Sequence, residues 1–456
     1  MTDRQGLVFP EGFVWGTATA GHQIEGHNDA SDWWRFEQEG KILDGTKSGA
    51  CVDYWNRYEE DHDLMVKLGY PAFRLGVEWA KIEPEDGRID GAAVERYRKI
   101  LQSLKRHNIK ICLTIYHWVL PQWFAAGGGW LRDDAVKRFL KFAELVVKEF
   151  GEYPDIWVTL NEPTVPTSAG YFAGEFPPEK SDIGAFLKAT EALMRAHAAC
   201  YKLIHDNVPG APGGGPTLAG IAHAYQAVAP YGSPGLAAVF ENIMAKFYAF
   251  FSFKAWDRIL TAGSLPFPFL FKNLSALKDS CDFAGVNYYT RYSPRFDSSL
   301  RNQMFVDISS VPEGAETTQM GWEIFPQGFY DTLMYVWDLY KKPVFILENG
   351  IADDTDARRP SYTLEHLAKV HQAISDGADI RGYFHWSFLD NFEWKHGFSK
   401  RFGLVACDWD DPKLERRPRP SAHMYSEVVR ENGITPEIVR KYAPDYAGKI
   451  TPGTGA

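Results

Sequence analysis

Short apolar runs alternate with longer helical patterns along the whole chain. Eight of these runs lack the polar and apolar alternation of a half-exposed strand, which favours strands buried on both faces of a parallel sheet. The predicted strands cover residues 13–16, 72–76, 111–116, 156–160, 218–222, 283–287, 344–348 and 382–386.

The segments between the strands carry the period of one-sided helices. Apolar side chains recur every three or four positions over residues 136–147, 193–204 and 364–374. A strand followed by a covering helix is the unit of a parallel sheet, and eight such units close naturally into a barrel. We therefore predict an α/β fold, a single (β/α)8 TIM barrel with elaborated βα loops.

No segment has the composition of a linker between domains. The stretch richest in glycine and proline, residues 209–216, lies just before a predicted strand and is typical of a loop. It lacks the Gly-Lys-Ser/Thr ending of a phosphate-binding loop. We expect one catalytic domain over residues 1–456, with residues 448–456 forming a loose C-terminal tail.

Composition narrows the class of protein. Apolar residues make up 45% of the chain and charged residues 24%, which excludes a disordered chain or a coiled coil. The net charge of −10 disfavours nucleic acid and an anionic membrane as partners. Aromatic residues reach 15%, which favours a site that stacks against flat ligands.

The cysteines and the N-terminus bear on location. Five scattered cysteines with no C-x-x-C pair suggest neither a disulfide framework nor a zinc site, so we expect a cytoplasmic protein. The N-terminus has no basic-then-apolar signal, and Lys254 interrupts the most aromatic run, so we expect no membrane partner.

Polar and aromatic residues collect where the predicted strands end. The C-terminal ends of barrel strands build the active site, so these residues are candidates for function. They are Gln23 and Glu25 after the first strand, Arg74 in the second, His117 and Trp118 after the third, Asn161 and Glu162 after the fourth, Asn287 and Tyr289 around the end of the sixth, Glu348 in the seventh and Trp386 in the eighth. One such residue alone would be explained by a helix cap or a buried ion pair, but seven strand ends that converge predict a site.

Two glutamates on nearly opposite strands suggest the chemistry. Glu162 and Glu348 flank the predicted mouth of the barrel, and glycoside hydrolysis needs one protonated and one ionised carboxyl group. His22 and His27 lie five residues apart in a turn-rich stretch, a spacing that matches no helical metal pair. We therefore expect no metal site.

Several motifs then place the chain in a family. Thr-Leu-Asn-Glu-Pro occupies 159–163, Ile-Leu-Glu-Asn-Gly 346–350, Trp-Ser-Phe-Leu-Asp-Asn-Phe-Glu-Trp 386–394 and Arg-Phe-Gly-Leu 401–404, after an N-terminal Phe-Pro-Glu-Gly-Phe-Val-Trp-Gly from residue 9. In this order and on these strands, the motifs resemble those of the family 1 glycoside hydrolases, the retaining β-glucosidases and β-galactosidases. The resemblance extends over nearly the whole chain.

The resemblance implies a role for each site residue. Glu162 is the implied acid/base and Glu348 the implied nucleophile, while Arg74, Tyr289 and Asn287 orient these carboxyl groups. The implied sugar-binding residues are Gln23, His117, Trp118, Asn161 (at the 2-hydroxyl), Trp386 (the floor), Glu393, Trp394 and Phe402, with Trp322 as the platform for the leaving group. No cofactor is required.

Two departures from the commonest family pattern stand out. Leu-Gly-Val-Glu-Trp at 75–79 is closer to archaeal-type members and leaves Glu78 in need of a partner, while Trp79 is expected to be structural. After Pro163, many family members have an aromatic residue or Asn, whereas this chain has Thr164 and Val165. We expect this difference to affect which leaving group is preferred and not the type of reaction.

The expected function is hydrolysis of terminal β-D-hexosides, β-glucosides first, with β-galactosides and β-fucosides as further substrates, through a covalent glycosyl-enzyme. The expected partner is a small β-glycoside or short oligosaccharide, which suggests cellulose degradation, and the oligomeric state stays open. Two alternatives remain: a 6-phospho-β-glycosidase and a noncatalytic sugar-binding pseudoenzyme. A phosphate-binding barrel isomerase is weaker, because the expected Gly-rich loop is missing.

Overall fold

Eight parallel strands close into a barrel in the computed structural model, which describes residues 6–265, 274–300, 305–409, 411 and 413–450. The barrel strands are β1 Val14–Ala18, β2 Ala72–Gly76, β3 Lys110–Tyr116, β4 Ile156–Asn161, β5 Ala219–Val228, β6 Phe283–Tyr292, β7 Val344–Asn349 and β8 Ile380–Trp386. Each strand pairs in parallel with its neighbours in the chain, and β8 pairs with β1 to complete the ring. The predicted (β/α)8 barrel is confirmed.

A helix follows each strand and covers the outside of the barrel. These helices are α1 Tyr54–Leu68, α2 Gly91–Arg106, α3 Ala135–Phe150, α4 Ile183–Asn207, α5 Leu236–Ala249, α6 Pro326–Tyr340, α7 Arg359–Ser375 and α8 Pro420–Glu431. The three predicted helical patterns coincide with α3, α4 and α7. Their apolar sides pack on strands that are apolar on both faces, which is why the strands showed no alternation.

The strand β4 shows how this burial works. Ile156 and Val158 point into the barrel interior, whereas Trp157 and Leu160 belong to the layer between the sheet and the helices. All of them are at most 5% exposed. Because side chains alternate along a strand, a barrel strand needs apolar residues at nearly every position.

The loops at the C-terminal ends of the strands carry extra elements. Short helices span Gly21–Ile24, Asp32–Gln38, Trp79–Ile82, Gln122–Ala126 and Thr164–Thr167, and two-stranded ribbons pair Arg295–Phe296 with Val306–Asp307 and Val405–Cys407 with Arg416–Pro418. A third ribbon, Leu7–Val8 with Gly433–Ile434, ties the two ends of the described chain together, and the helix Pro436–Tyr442 follows it.

The structure corrects the predicted C-terminal tail. Residues Ala447–Ile450 form a short helix, and Ile450 is fully buried against the core. The prediction of a loose tail is therefore wrong for residues 448–450, because one apolar side chain is enough to anchor them. Residues 451–456 lie outside the described residues.

One described helix is long and apolar enough to cross a membrane by length and composition alone. It runs from Leu236 to Ala262 with a mean hydropathy of 1.3. In this structure it belongs to the outer layer of the barrel: its buried Asp257 accepts hydrogen bonds from Tyr225 on β5 and Tyr340 on α6.

Candidate active site

A cavity of about 240 Å³ opens at the C-terminal ends of the barrel strands. Twelve of the fourteen predicted site residues line it: Gln23, His117, Trp118, Glu162, Asn287, Tyr289, Trp322, Glu348, Trp386, Glu393, Trp394 and Phe402. The other two, Arg74 and Asn161, lie directly behind the wall and bond to residues that form it. The structure thus brings these fourteen residues together, whereas Glu25, the remaining candidate at a strand end, contacts Tyr97 and Lys81 and does not line the cavity.

Strand pairing places the two glutamates on the same rim. Glu348 lies beside Asn287 in the pairing of β7 with β6. Glu162 follows β4 directly, and its backbone N–H donates to the carbonyl of Ala222 over 2.7 Å. Glu162 has a φ of 41°, a left-handed conformation that costs a non-glycine residue about 1 kcal/mol or more. This backbone turn aims the carboxyl group into the cavity.

Both carboxyl oxygens of Glu348 accept hydrogen bonds from buried donors. Arg74 Nη1 donates to Oε1 over 2.6 Å, and the Tyr289 hydroxyl donates to Oε2 over 2.7 Å. Arg74 is fully buried, and its Nη2 donates to Asn161 Oδ1 over 2.6 Å. Both oxygens of the carboxylate therefore have a donor in fixed geometry.

Glu162 lies in the opposite environment. Burial and the nearby negative charge of Glu348 raise its pKa to about 8, against smaller effects from Asn287 and Arg74. Asn287 Nδ2 donates to Glu162 Oε1 over 3.0 Å. A carboxyl group with this pKa keeps its proton at neutral pH and can act as a general acid.

A neutral histidine faces the cavity beside these groups. Asn161 Nδ2 donates to His117 Nε2 over 2.9 Å, which leaves the His117 proton on Nδ1. Burial and the charge of Arg74 hold the pKa of His117 well below its usual range. Nδ1 has no hydrogen-bond partner among the described residues and can donate to a ligand hydroxyl.

Gln23 and Glu393 form a polar pair on the wall near β1. Gln23 Nε2 donates to Asn391 Oδ1, to the Phe392 carbonyl and to Glu393 Oε2, over 2.8, 3.0 and 3.1 Å. Gln23 Oε1 has no partner, so it can accept from a ligand. Burial, and next the charge of Glu348, raise the pKa of Glu393 to about 8.

The lysines near Glu393 in sequence do not pair with it. The nearest carboxylate to Lys395 is Glu175, at 3.9 Å, and Lys400 donates to the carbonyl of Gln319. Glu393 is therefore not part of a surface ion pair with either lysine: its side chain is buried in the cavity wall.

Aromatic rings form the floor and sides. Trp386 ends β8 and lies 6.1 Å from His117 between ring centres, and Trp394 lies 4.6 Å from Trp118. Trp118 contributes its ring only, because its indole N–H donates to the carbonyl of Asn161. Of the residues expected to bind hydroxyls, Trp118 thus has no free donor, and Asn161 has both ends of its amide engaged.

The sequence missed part of the wall. The cavity is also lined by Val165, Phe176, Ala224, Gln226, Thr290, Tyr292, Met320 and His396. Ala224 and Gln226 lie two residues apart on β5, which extends six residues beyond its predicted end at 222. Every second side chain along a barrel strand points inward, so continuing this alternation past the predicted ends of β5 and β6 could have identified the wall residues on these two strands.

No cluster of three or more His, Cys, Asp or Glu side chains suited to a metal ion occurs in the described part of the chain.

Comparisons with known proteins agree with this geometry. The model of the family described as "Glycosyl hydrolase family 1" matches residues 5–434. "Beta-glucosidase A" of Acetivibrio thermocellus is 32% identical over 451 residues, covering 94% of this chain and 99% of that protein. "Beta-galactosidase" of Sulfolobus acidocaldarius is 32% identical over 500 residues, covering 95% and 97%.

Solved structures have the same fold. A β-glycosidase from Pyrococcus horikoshii is 35% identical, with a TM-score of 0.86 over 96% of this chain and 98% of that one. A β-glucosidase from Thermotoga maritima in complex with glucoimidazole is 32% identical, with a TM-score of 0.85 over 94% and 100%.

Proposed function

The chain belongs to glycosyl hydrolase family 1 and is a β-glycosidase, and we propose that it hydrolyses terminal β-D-hexosides, β-glucosides first, with retention of configuration. The observation that carries this proposal is the contrast between two carboxyl groups in one cavity. Glu348 has two donors that stabilise its charge, whereas the pKa of Glu162 is raised to about 8. One acid and one anion are what double displacement needs.

In the first step, Glu348 attacks the anomeric carbon. The bond from that carbon to the leaving oxygen breaks, and its electron pair stays on the oxygen, which takes the proton of Glu162. The products are the free alcohol and a glycosyl ester on Glu348.

In the second step, water releases the sugar. The ester has removed the negative charge of Glu348, so the pKa of Glu162 falls and its carboxylate takes a proton from the attacking water. The water oxygen bonds to the anomeric carbon, the ester bond breaks, and Glu348 leaves as the carboxylate that Arg74 and Tyr289 stabilise. Two inversions give net retention.

Recognition of the sugar rests on groups that have no hydrogen-bond partner in the described part of the chain. Gln23 Oε1 and His117 Nδ1 supply one acceptor and one donor for hydroxyls. The Trp386 ring suits the apolar C–H face of a β-hexose. The names of the relatives include both glucosidases and a galactosidase, and we place glucosides first because two of the three relatives whose names specify the sugar are β-glucosidases.

Two further parts of the proposal concern the cell. Five buried free cysteines favour a reducing compartment, so we infer a cytoplasmic location. Short β-linked glucosides from cellulose would then be natural substrates.

A 6-phospho-β-glycosidase is less favoured. A phosphate in the cavity would need a cation, and the described residues that line the cavity include no lysine or arginine. The pseudoenzyme alternative is disfavoured by the two intact carboxyl groups.

The test is a panel of nitrophenyl β-glycosides, with the product followed by proton NMR during the first turnovers. We expect the highest kcat/KM on the glucoside and a β-configured sugar as the first product. Turnover that first yields the α sugar would contradict retention, and no turnover on any member of the panel would contradict the assignment as an enzyme.

A further inference from the structure

The turn that carries Gln23 lacks a cap of its own. Gly21–Ile24 is a single buried helical turn after β1, and the side chain of Ala20, before it, caps no N–H group. The Gln23 amide is held at its Nε2 by three acceptors, and the Gln23 carbonyl accepts from the Phe392 backbone N–H over 2.9 Å, so the position of the free Oε1 also depends on where the turn lies.

Glu78 supplies the missing cap from another loop. It follows β2 and is 3% exposed. Its Oε1 accepts from the His22 backbone N–H over 2.9 Å, and its Oε2 accepts from Asn28 Nδ2 over 2.9 Å. The carboxyl group therefore joins the beginning of the turn to the loop after it.

Glu78 is itself fixed from behind. Its backbone N–H donates to the Tyr97 hydroxyl over 2.9 Å, and that hydroxyl donates to Glu25 Oε2 over 2.9 Å. Lys81 Nζ lies 3.9 Å from the same Glu25 oxygen. The side chain that contacts the beginning of the turn is thus anchored to α2 through Tyr97, whose hydroxyl also bonds Glu25 at the end of the turn.

Gly21 makes the close approach of Glu78 possible. A Cβ at position 21 would lie 2.5 Å from Glu78 Oε1 and 2.9 Å from Glu25 Oε1. Only glycine at position 21 leaves room for the Glu78 carboxyl oxygen against the backbone of the turn. Gly21 and Glu78 are therefore compatible with each other in this contact.

We propose that Glu78 is a positioning residue for sugar recognition, which holds the His22 backbone N–H and thereby sets where Gln23 Oε1 meets the sugar. The inference rests on the proposed function, because it takes Gln23 as a sugar ligand. It also gives a partner to the residue that the sequence left without one. Glu78 is absent from the cavity wall, so it acts only through its neighbours.

The opposing explanation is that Glu78 merely stabilises the fold. The two explanations predict different dependence on Gln23. If Glu78 positions Gln23, its removal weakens sugar binding only in a protein that still has Gln23. If Glu78 only stabilises the fold, its removal weakens binding equally with and without Gln23. A double-mutant cycle measures this difference.

The experiment measures the Kd of a glucose-derived imidazole inhibitor by calorimetry for the wild type, Glu78→Ala, Gln23→Ala and the double variant. We expect Glu78→Ala to weaken binding about tenfold in the wild-type background and no more than about twofold in the Gln23→Ala background. An equal loss in both backgrounds, or less than a twofold loss in the wild type, would overturn the proposal.

Three further variants complete the design. Glu78→Asp keeps a carboxyl group but withdraws it from His22, and it replaces Glu78→Ala in the cycle if the alanine variant does not fold. Glu78→Gln keeps an acceptor for the His22 N–H and should bind within about threefold of the wild type; a loss as large as that of alanine would overturn the proposal. Glu83→Gln is the matched control and should bind the inhibitor like the wild type. Glu78 directly precedes the short helix Trp79–Ile82, and Glu83 directly follows it.

Binding and turnover separate the two claims. A wild type that binds the inhibitor but hydrolyses no glycoside contradicts the proposed function while the cycle still decides the role of Glu78. If the wild type turns over glycosides but the effects of Glu78→Ala and Gln23→Ala are additive, the proposed role of Glu78 is contradicted and the proposed function is not.

Discussion

Arg74 donates to Glu348 over 2.6 Å inside the barrel, and the exposed fractions of the two side chains are 0% and 5%. Three carboxyl groups line the same cavity, those of Glu162, Glu348 and Glu393, and this arginine contacts only one of them. The charge on Glu348 then helps to raise the pKa of each of the other two to about 8. Burial is the larger cause of both raised pKa values, and the buried pair of Arg74 and Glu348 adds to them by placing a negative charge beside Glu162 and Glu393.

Removal of the Glu348 carboxylate should abolish hydrolysis. Glu348→Gly has no nucleophile, so no glycosyl ester forms. Azide can enter the space and attack the anomeric carbon once, which should give the α-glycosyl azide, measured by NMR. A β product from azide, or full activity without it, would assign the nucleophile elsewhere.

Glu162→Ala should impair substrates according to their leaving groups. Dinitrophenyl glycosides need little protonation, so their first step should change little, whereas alkyl glycosides should lose about 10²-fold or more in kcat/KM. Rates for a series of aryl glycosides measure this slope. Equal losses for all leaving groups would count against Glu162 as the acid.

The pH profile of the wild type should show the raised pKa of Glu162. The protonated form is the active acid, so kcat/KM should fall as the pH rises through about 8. In an enzyme trapped as a fluoroglycosyl ester, Glu348 carries no charge, and the pKa of Glu162, followed by carbon NMR, should be lower. An unchanged pKa in the trapped enzyme would show that Glu348 is not its cause.

The free sugar should be preferred to its 6-phosphate by at least about 10²-fold in kcat/KM, because the phosphate adds −1.5 to −2 charges near carboxyl groups. At pH 6 to 7 Glu393 is largely protonated, so we expect the preference to grow as the pH rises through about 8. Glu393→Ser should reduce the preference, while Glu175→Gln at the surface should not. Comparable wild-type efficiency on both substrates would refute the exclusion.

The contribution of Asp32 to stability should fall as the pH rises from about 4 to 7. Burial raises its pKa from 3.8 to about 7. The folded state therefore binds a proton that the unfolded state has lost over this range, which costs as much as ~4 kcal/mol at neutral pH. Asp32→Asn keeps an acceptor for the N–H groups of Trp33 and Leu120 and should flatten the curve of Tm against pH. The exposed control Glu85→Gln should leave the slope unchanged; an equal slope in Asp32→Asn would contradict the assignment.

The strand order and the two glutamates were predictable from the sequence, because both depend on local patterns. A run such as 344–348 is apolar throughout since a barrel strand is buried on both faces. Parallel strands present their C-terminal ends at one rim, so Glu162 and Glu348 had to meet there once the barrel was inferred. The extended ends of β5 and β6 were missed because their residues past 222 and 287 lie at the mouth of the barrel, where the apolar pattern is interrupted.

The chemical state of each group was decided by the tertiary structure alone. Gln23 and Asn391 are 368 positions apart in the chain yet hydrogen-bonded. The partner of Glu78, the engaged N–H of Trp118 and the protons on Glu162 and Glu393 all follow from such contacts. The sequence by itself determined that the fourteen predicted residues lie at the rim of the barrel, because strand ends follow from local patterns. Burial and electrostatic interactions depend on distance in space. Only the fold therefore determined which of these residues can donate or accept a hydrogen bond and which carry a proton.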